Sequence, residues 1–358
     1  MKRADYQTVL PTKIIDGLNI NFSYGDKTEI CVPFSTYETA LFASIQRGAK
    51  VSKFCPISTV VLSNTMTRSA LFQCKNIFEL ERFLNIINDI EFQKKQLQDI
   101  VNSTSNHCKL LKIEPHVIGN ILYVRFIYNT DEASGHNITS IATNEIAKIL
   151  VKIAYTNNIY LKYLSNSGNI CVDKKVSAIN SISGRGKKVI AEAKISRKIC
   201  NDILNTEPEK IVEINTKKNL LGSIVAGSVC SGNAHFANML AGIFLSCGQD
   251  IANIVEGSQG ITYCEIDDCD LYFSVTLSNI ICGCVGNGKN INFVKNNLKT
   301  IGCLDDNFKP VNHASEKLAC VISAIVWCGE ISLLSALTNE DELCRSHIIL
   351  ERKNNNKF

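Results

Sequence analysis

Ser167-Gly168-Asn169-Ile170-Cys171-Val172-Asp173-Lys174-Lys175 is the densest polar constellation in the chain. A glycine loop there delivers an acid and two lysines side by side. A lysine ammonium is a compact donor that can polarise a carbonyl oxygen or hold a carboxylate. A solvated turn between strands would use the same residues, so the segment alone leaves both readings open. Asp250, in Gly248-Gln249-Asp250, follows a long uncharged run and is predicted to lie on a buried helix. A buried carboxylate is paired or protonated, so a structural partner and a functional lysine are the two readings. Glu38 stands at a predicted helix start, where the helix dipole alone would favour an acid. His347, in Arg345-Ser346-His347-Ile348, follows the last predicted helix, where a lone histidine is ordinarily a surface or filler residue. Gly283-Cys284-Val285-Gly286-Asn287-Gly288 could bring backbone N–H groups to a phosphate. No strand-GxGxxG-helix or GxxxxGK[ST] pattern is present, so a nucleotide site would be of another kind.

The elements that must hold these groups follow from periodicity. Residues 1–35 are weakly patterned, with a short strand at 29–34. A helix is predicted over 37–50 and a β-branched run over 60–62. Residues 76–160 read as a unit: helix 77–88, a polar helical stretch 91–101, strands 109–113 and 120–128, and helix 138–157. That order predicts a small α+β domain. Beyond it come strand 188–195, a short helix 196–205 capped by Ser196, a long buried helix 236–256, strand 271–275 and an apolar helix 314–337 after Asn312. The tail from Asn354 to Phe358 is predicted to be disordered.

Composition bounds the class. The 358 residues are 45% hydrophobic and 20% charged, with a net charge of +4. That is globular composition, long enough for two domains. No Lys/Arg block or RNA-binding signature points to nucleic acid. The 16 cysteines lie in apolar settings without a signal-like start, which predicts reduced core thiols in the cytoplasm. No cysteine or histidine spacing predicts a metal site. The uncharged run from Asn219 to Gln249 exceeds the roughly 20 residues of a membrane span. Its serines, glycines, asparagines and histidine predict a loop and a buried helix instead, with no membrane association.

Taken in order, these fragments resemble the hydroxymethylglutaryl-coenzyme A reductase family, in its class I form. The resemblance is carried by Tyr37 to Ser44, Met66-Thr67-Arg68, Ser167 to Lys175, Ala178-Ile179-Asn180, Gly184-Arg185-Gly186-Lys187 and Lys218 to Ser223. It continues through Asn233 to Asn238, Gly248-Gln249-Asp250, Gly329 to Leu333 and Ser346-His347. It implies an α+β fold, with a large helical domain around a long central helix (1–70 with 160–358) binding substrate and CoA. A small ferredoxin-like nucleotide domain (71–159) would be inserted in it. It implies two-step reduction of hydroxymethylglutaryl-CoA to mevalonate and CoA by NADPH, with NADH as the alternative, in a homodimer or higher assembly with interfacial sites. Residue by residue, it implies Lys174 donating to the thioester oxygen, and Asp250 in a network with Lys174 and Glu38. Glu38 would supply a proton to the aldehyde stage, and His347 would protonate the CoA thiolate. Arg68, Ser167, Asp173, Lys175, Lys218, His235 and Asn238 would hold the acyl group, and Ser44 and Arg47 the CoA, Arg47 suiting a phosphate. Ser105, Asn106, Glu132, Gly135, Asn137, Gly286 and Gly288 would meet the nicotinamide cofactor.

The chain also departs from that pattern. The opening motif reads Ile14 to Ile20, and a glycine-rich run becomes Phe54-Cys55-Pro56-Ile57. Asp-Ala-Met-Gly-Met-Asn becomes Glu132-Ala133-Ser134-Gly135-His136-Asn137. The Ser-Arg that meets the cofactor's extra phosphate becomes Ser105-Asn106, with Lys109 nearby. Lys353 stands where some relatives carry a phosphorylated serine. The competing expectation is a catalytically impaired protein that binds an acyl-CoA or a partner.

Overall fold

The computed structural model describes residues 9–25, 27–286 and 288–352. Met1 to Tyr6, Lys353, the 354–358 tail and Asn287 of the glycine motif lie outside them. The described strands are β1 (Thr12–Phe22), β2 (Lys27–Ser35), β3 (Ile57–Cys74), β4 (Lys109–Ile118) and β5 (Ile121–Asn129). They continue with β6 (Leu161–Ser165), β7 (Gly186–Ile195), β8 (Gly260–Asp267) and β9 (Asp270–Ile280).

β3 organises the molecule. Its first half, Ser58 to Thr65, pairs antiparallel with β7. Its second half, Met66 to Gln73, pairs antiparallel with β5, while Leu71 to Cys74 pair with β6. One run of strands is therefore β2-β1-β3-β7-β9-β8, with only β1 and β3 parallel. The other is β6-β3-β5-β4. Each has its own core. Ala70, Phe72, Phe83, Leu122, Val124, Phe126, Ile146 and Leu150 belong to one. Ile57, Val189, Phe244, Phe273, Val275 and Trp327 belong to the other. Alternation of buried and partly buried residues along β7 puts one face of that strand into this second core.

The Ala314–Leu337 helix is the centre of the larger core. It packs on β3, β7 and β9 and between the helices Thr39–Phe54 and Phe236–Ser246. A helix apolar on all sides must be buried on all sides, and Trp327 satisfies its indole N–H on Phe273 O at 3.0 Å. The approach to the Thr39–Phe54 helix is backbone-close: a β-carbon at Gly48 would lie 2.3 Å from Cys328 O. By length and hydropathy this helix could cross a membrane, but 94% of its apolar window is buried inside the protein.

Several expectations need correction. The fold is mixed α+β, and the part expected to be mainly helical is built on the β2-β1-β3-β7-β9-β8 strands as much as on helices. β1 was hidden in a stretch without alternation, because a bulge between Ile15 and Leu18, with Gly17 at φ 69°, breaks the pattern. The predicted helix 236–256 stops at Ser246. Gly248 there adopts φ 59°, and the chain re-enters a 3₁₀ turn at Ile251–Asn253 capped by Asp250. Asp250 is thus not on a buried helix; its side chain is 40% exposed. Part of the loop expected after Asn219 is helical, in wide turns at Asn215–Gly222. His347 ends a helix, Glu342–His347, rather than following one.

Candidate active site

Lys174 and Asp250 meet: Nζ lies 2.7 Å from Asp250 Oδ2. The loop that carries Lys174 holds left-handed backbone at Asn169, Val172 and Lys174, a conformation that needs outside support. Asn180 Nδ2 donates to Val172 O at 2.9 Å, and Lys174 N donates to Glu256 Oε1 at 3.1 Å. The hydrogen bond to Asp250 holds the Lys174 ammonium above the ordinary lysine pKa. Burial pushes the Asp250 carboxyl up, but the bonds from Lys174 and the Ala252 amide outweigh it and leave the pKa below the usual value. At neutral pH the pair is therefore ammonium and carboxylate, with a proton held toward the cavity.

A buried charge cluster stands behind this pair. Arg185, 1% exposed, reaches Asp173 Oδ1 at 2.9 Å and Glu256 Oε1 at 3.0 Å. Glu256 also accepts from Asn253 Nδ2 at 2.9 Å. Its burial raises its pKa despite the Arg185 guanidinium. Arg68, Asp173, Lys174, Arg185, Asp250, His136 and Asn137 line one cavity of about 270 Å³. Arg68 is held by Nε donating to Asn166 O at 3.0 Å. Burial lowers the His136 pKa, helped by Arg185, against the pull of Asp173 and Asp250. Lys175 is exposed, its Nζ donating to Asp173 O at 3.2 Å. Ser167 is also exposed, its amide donating to Ser165 Oγ.

Glu38, Ser44, Arg47, His235, Asn238, Ser332, Glu342 and His347 line a different cavity, of about 390 Å³. The expected contact of Glu38 with Lys174 and Asp250 is thus not made within one chain. Glu38 occupies the N-cap position of the Thr39–Phe54 helix without a side-chain capping bond, and that helix faces the C-terminal helix through Arg47 and Glu342. His235 Nε2 lies 3.0 Å from Gly329 O, which fixes the proton on that nitrogen and leaves Nδ1 to accept from Asn238 Nδ2 at 3.4 Å. Glu330, wholly buried, accepts from the Ala234 and His235 amides at 2.9 and 2.7 Å and from Thr262 Oγ1 at 2.7 Å. Burial lowers the pKa of Lys218, and Glu330 works against that shift. Ser44 Oγ bonds Ser332 Oγ at 3.0 Å. The Arg47 guanidinium expected for a phosphate is engaged by Ser332 and by Glu342 Oε1 at 2.5 Å.

The two glycine-bearing motifs come together. Ala133 bridges Val285 in parallel, and the Cys284 amide donates to Glu132 O at 2.8 Å. Glu132 Oε2 accepts the Ser315 amide at 2.5 Å, at the start of the long helix. Gly135 (φ 94°) caps the helix that begins with His136 and Asn137, and Gly286 and Gly288 also have positive φ. Glycines with positive φ beside a helix start can bring backbone N–H groups to a phosphate. Ser105 Oγ accepts the His107 amide, and Asn106 opens onto a separate cavity of about 450 Å³ with His107, Lys109 and Asp131.

The family model described as hydroxymethylglutaryl-coenzyme A reductase matches residues 7–352. The chain belongs to this family. A 3-hydroxy-3-methylglutaryl-coenzyme A reductase of Methanocaldococcus jannaschii is 39% identical over 330 residues, 92% of this chain and 79% of that one. One from Pyrococcus horikoshii is 39% identical over 346 residues, 96% and 81%. In fold, the chain is similar to the class II 3-hydroxy-3-methylglutaryl-CoA reductase from Streptococcus pneumoniae bound to NADPH. The TM-score is 0.73 at 17% identity, covering 95% of this chain and 88% of that one.

Sequence reasoning assigned no role to Arg185, Glu256, Glu330 or His136. One signal was available for Glu330. It is the only charged residue between Leu318 and Leu337, and a lone acid in a buried helix must have partners.

Proposed function

We propose that the chain reduces hydroxymethylglutaryl-CoA to mevalonate and CoA, consuming two NAD(P)H and two protons. The observation that carries this is the Lys174–Asp250 pair at 2.7 Å, in one cavity with Arg68. The reduced nicotinamide, once bound, supplies two electrons and a hydrogen in each round. Glu132, Gly135, Asn137, Gly286 and Gly288 would hold its phosphates, with Ser105 and Asn106 toward its adenosine end. That the two motifs meet favours a working cofactor site over an acyl-CoA binder that does not turn over.

Lys174 donates to the thioester oxygen and stabilises the charge that develops there. Asp250 keeps that ammonium protonated and oriented. Glu38 delivers a proton at the aldehyde stage, and His347 protonates the CoA thiolate so that it leaves. Arg68, Asp173, Lys175 and Lys218, with Ser167, His235 and Asn238, hold the acyl group. Ser44 and Arg47 face the CoA, and for Arg47 to grip a phosphate Glu342 must release it.

Glu38 and His347 share one cavity and Lys174 and Asp250 another. A homodimer would unite them, each complete site taking one cavity from each subunit. The exposed Leu221, Ile224 and Val225, beside Lys218, are apolar surface suited to such a contact. We also propose that residues 71–159 form a ferredoxin-like nucleotide domain inserted between 1–70 and 160–358, the substrate and CoA domain. Supporting this is the order β6-β3-β5-β4 in a β-α-β-β-α-β chain path, whose first and last strands, β3 from Met66 and β6 at Leu161–Ser165, extend such a unit beyond 71–159 at both ends. All sixteen cysteines are free, which suits a cytoplasmic setting.

Purified protein with hydroxymethylglutaryl-CoA should oxidise NADPH, or NADH, in a ratio of two cofactors to each CoA released. Folded dimeric protein that oxidises neither would overturn the proposal.

A further inference from the structure

His136 stands where the family motif has methionine, and its ring enters the cavity that holds the Lys174–Asp250 pair. Its Nε2 is fully buried and, among the described residues, has no hydrogen-bond partner; Asp173 Oδ1 is 4.0 Å away. An unpartnered buried nitrogen is costly unless something completes it. We propose that His136 is a further substrate-binding residue, which takes up a proton when the carboxylate of the acyl group enters this cavity.

The surrounding charges set up that linkage. Arg68 from β3, Lys174 from the 167–175 loop and Arg185 ahead of β7 are cationic. Asp173 and Asp250 are the facing carboxylates, and Glu256 lies behind Arg185. Arg185 is already shared between Asp173 and Glu256, and Lys174 is held by Asp250. A proton on His136 therefore has no carboxylate to itself. It is opposed by burial, by Arg185 and Lys174, and by the positive end of the helix that His136 begins. Without ligand these influences hold the imidazole pKa below its ordinary value, which favours the neutral ring at neutral pH. An entering carboxylate adds one negative charge beside Arg68 and Nε2, and favours the imidazolium. One proton passes from solvent to Nε2, which then donates to the anion or to Asp173.

This inference rests on the proposed substrate, and the test separates the two. Binding of hydroxymethylglutaryl-CoA is followed by calorimetry at about pH 6 to 7.5, in buffers of different ionisation enthalpy. Wild-type protein should take up a proton on binding, up to one per site, and His136→Met should take up none. The wild-type KM should rise with pH, by at most about tenfold per unit between the free and bound pKa values; the variant's should stay flat. Equal uptake by both proteins, or none by wild type, overturns the role of His136 and leaves the proposed reaction standing. Folded wild-type protein that neither binds nor turns over hydroxymethylglutaryl-CoA overturns both. If His136→Met does not fold, histidine ring C–H resonances of the wild type decide: absence of any titration moved upward by hydroxymethylglutaryl-CoA overturns the inference.

Discussion

Replacing Glu330 with glutamine isolates the groups that set the Ala234–Asn238 corner. The carboxylate takes three donors, with Ala234 N and Thr262 Oγ1 on Oε2 and His235 N on Oε1. A glutamine offers one acceptor oxygen and one NH₂. Turned to serve Ala234 and Thr262, it points its NH₂ at the His235 amide. One charge-assisted bond is lost and two are weakened. Hydrogen bonds to charged groups contribute about 1.5–3 kcal/mol each. Relief of a buried charge offsets part of this, so Glu330→Gln should destabilise by about 2–4 kcal/mol. At about 1.3 °C per kcal/mol for a chain of this size, Tm should fall by about 3–5 °C. The function should suffer as well. His235 and Asn238 lose their fixed start, and the Lys218 pKa, which Glu330 now supports against burial, should drop further. Thermal and urea unfolding, with KM for hydroxymethylglutaryl-CoA, test this. A Tm within about 1 °C of wild type and an unchanged KM would refute the reasoning.

Two further substitutions probe the site. Lys174→Met should abolish turnover while leaving the fold intact. Its side chain is 39% exposed and its partner's 40%, so the ion pair contributes no more than about 1 kcal/mol to stability. Near wild-type turnover would show that the catalytic lysine is elsewhere. Asn106→Arg should improve use of NADPH relative to NADH, since Asn106 opens onto a cavity where Asp131 is partly engaged by His107 at 3.1 Å. Unchanged relative kcat/KM for the two cofactors would remove Asn106 from the cofactor site.

Much of this was legible in the chain because the groups concerned sit in short contiguous segments. The pairing of Lys174 with Asp250 was implied by the resemblance of two short motifs to the reductase family; the residues by themselves left a solvated turn and a structural carboxylate open. The Ala314–Leu337 helix was readable to its last residue because from Leu318 to Leu337 its apolar residues are broken only by serines, Gly329 and Glu330. What escaped was set by single residues or by distance. A positive φ at Gly248 ends a helix whose apolar pattern runs on. The bulge at Gly17 shifts which face of β1 is buried, so alternation fails although the strand is intact. Arg185 and Glu256 are 71 residues apart in sequence, and no periodicity links them. Glu38 and Asp250 looked like members of one group, yet they lie in different cavities of the chain.

β3 runs through both cores without a break, its halves stitched into different strand sets. A hinge needs a few residues free to absorb backbone rotation, and at this crossing Thr65 and Met66 are both paired to neighbours. The strand behaves as a keel shared by two hulls. The side that holds the glycine motifs' partner segment and the side that holds Asp250 cannot swing apart here. The shared strand also carries Arg68, so the floor beneath that guanidinium belongs to both sides at once.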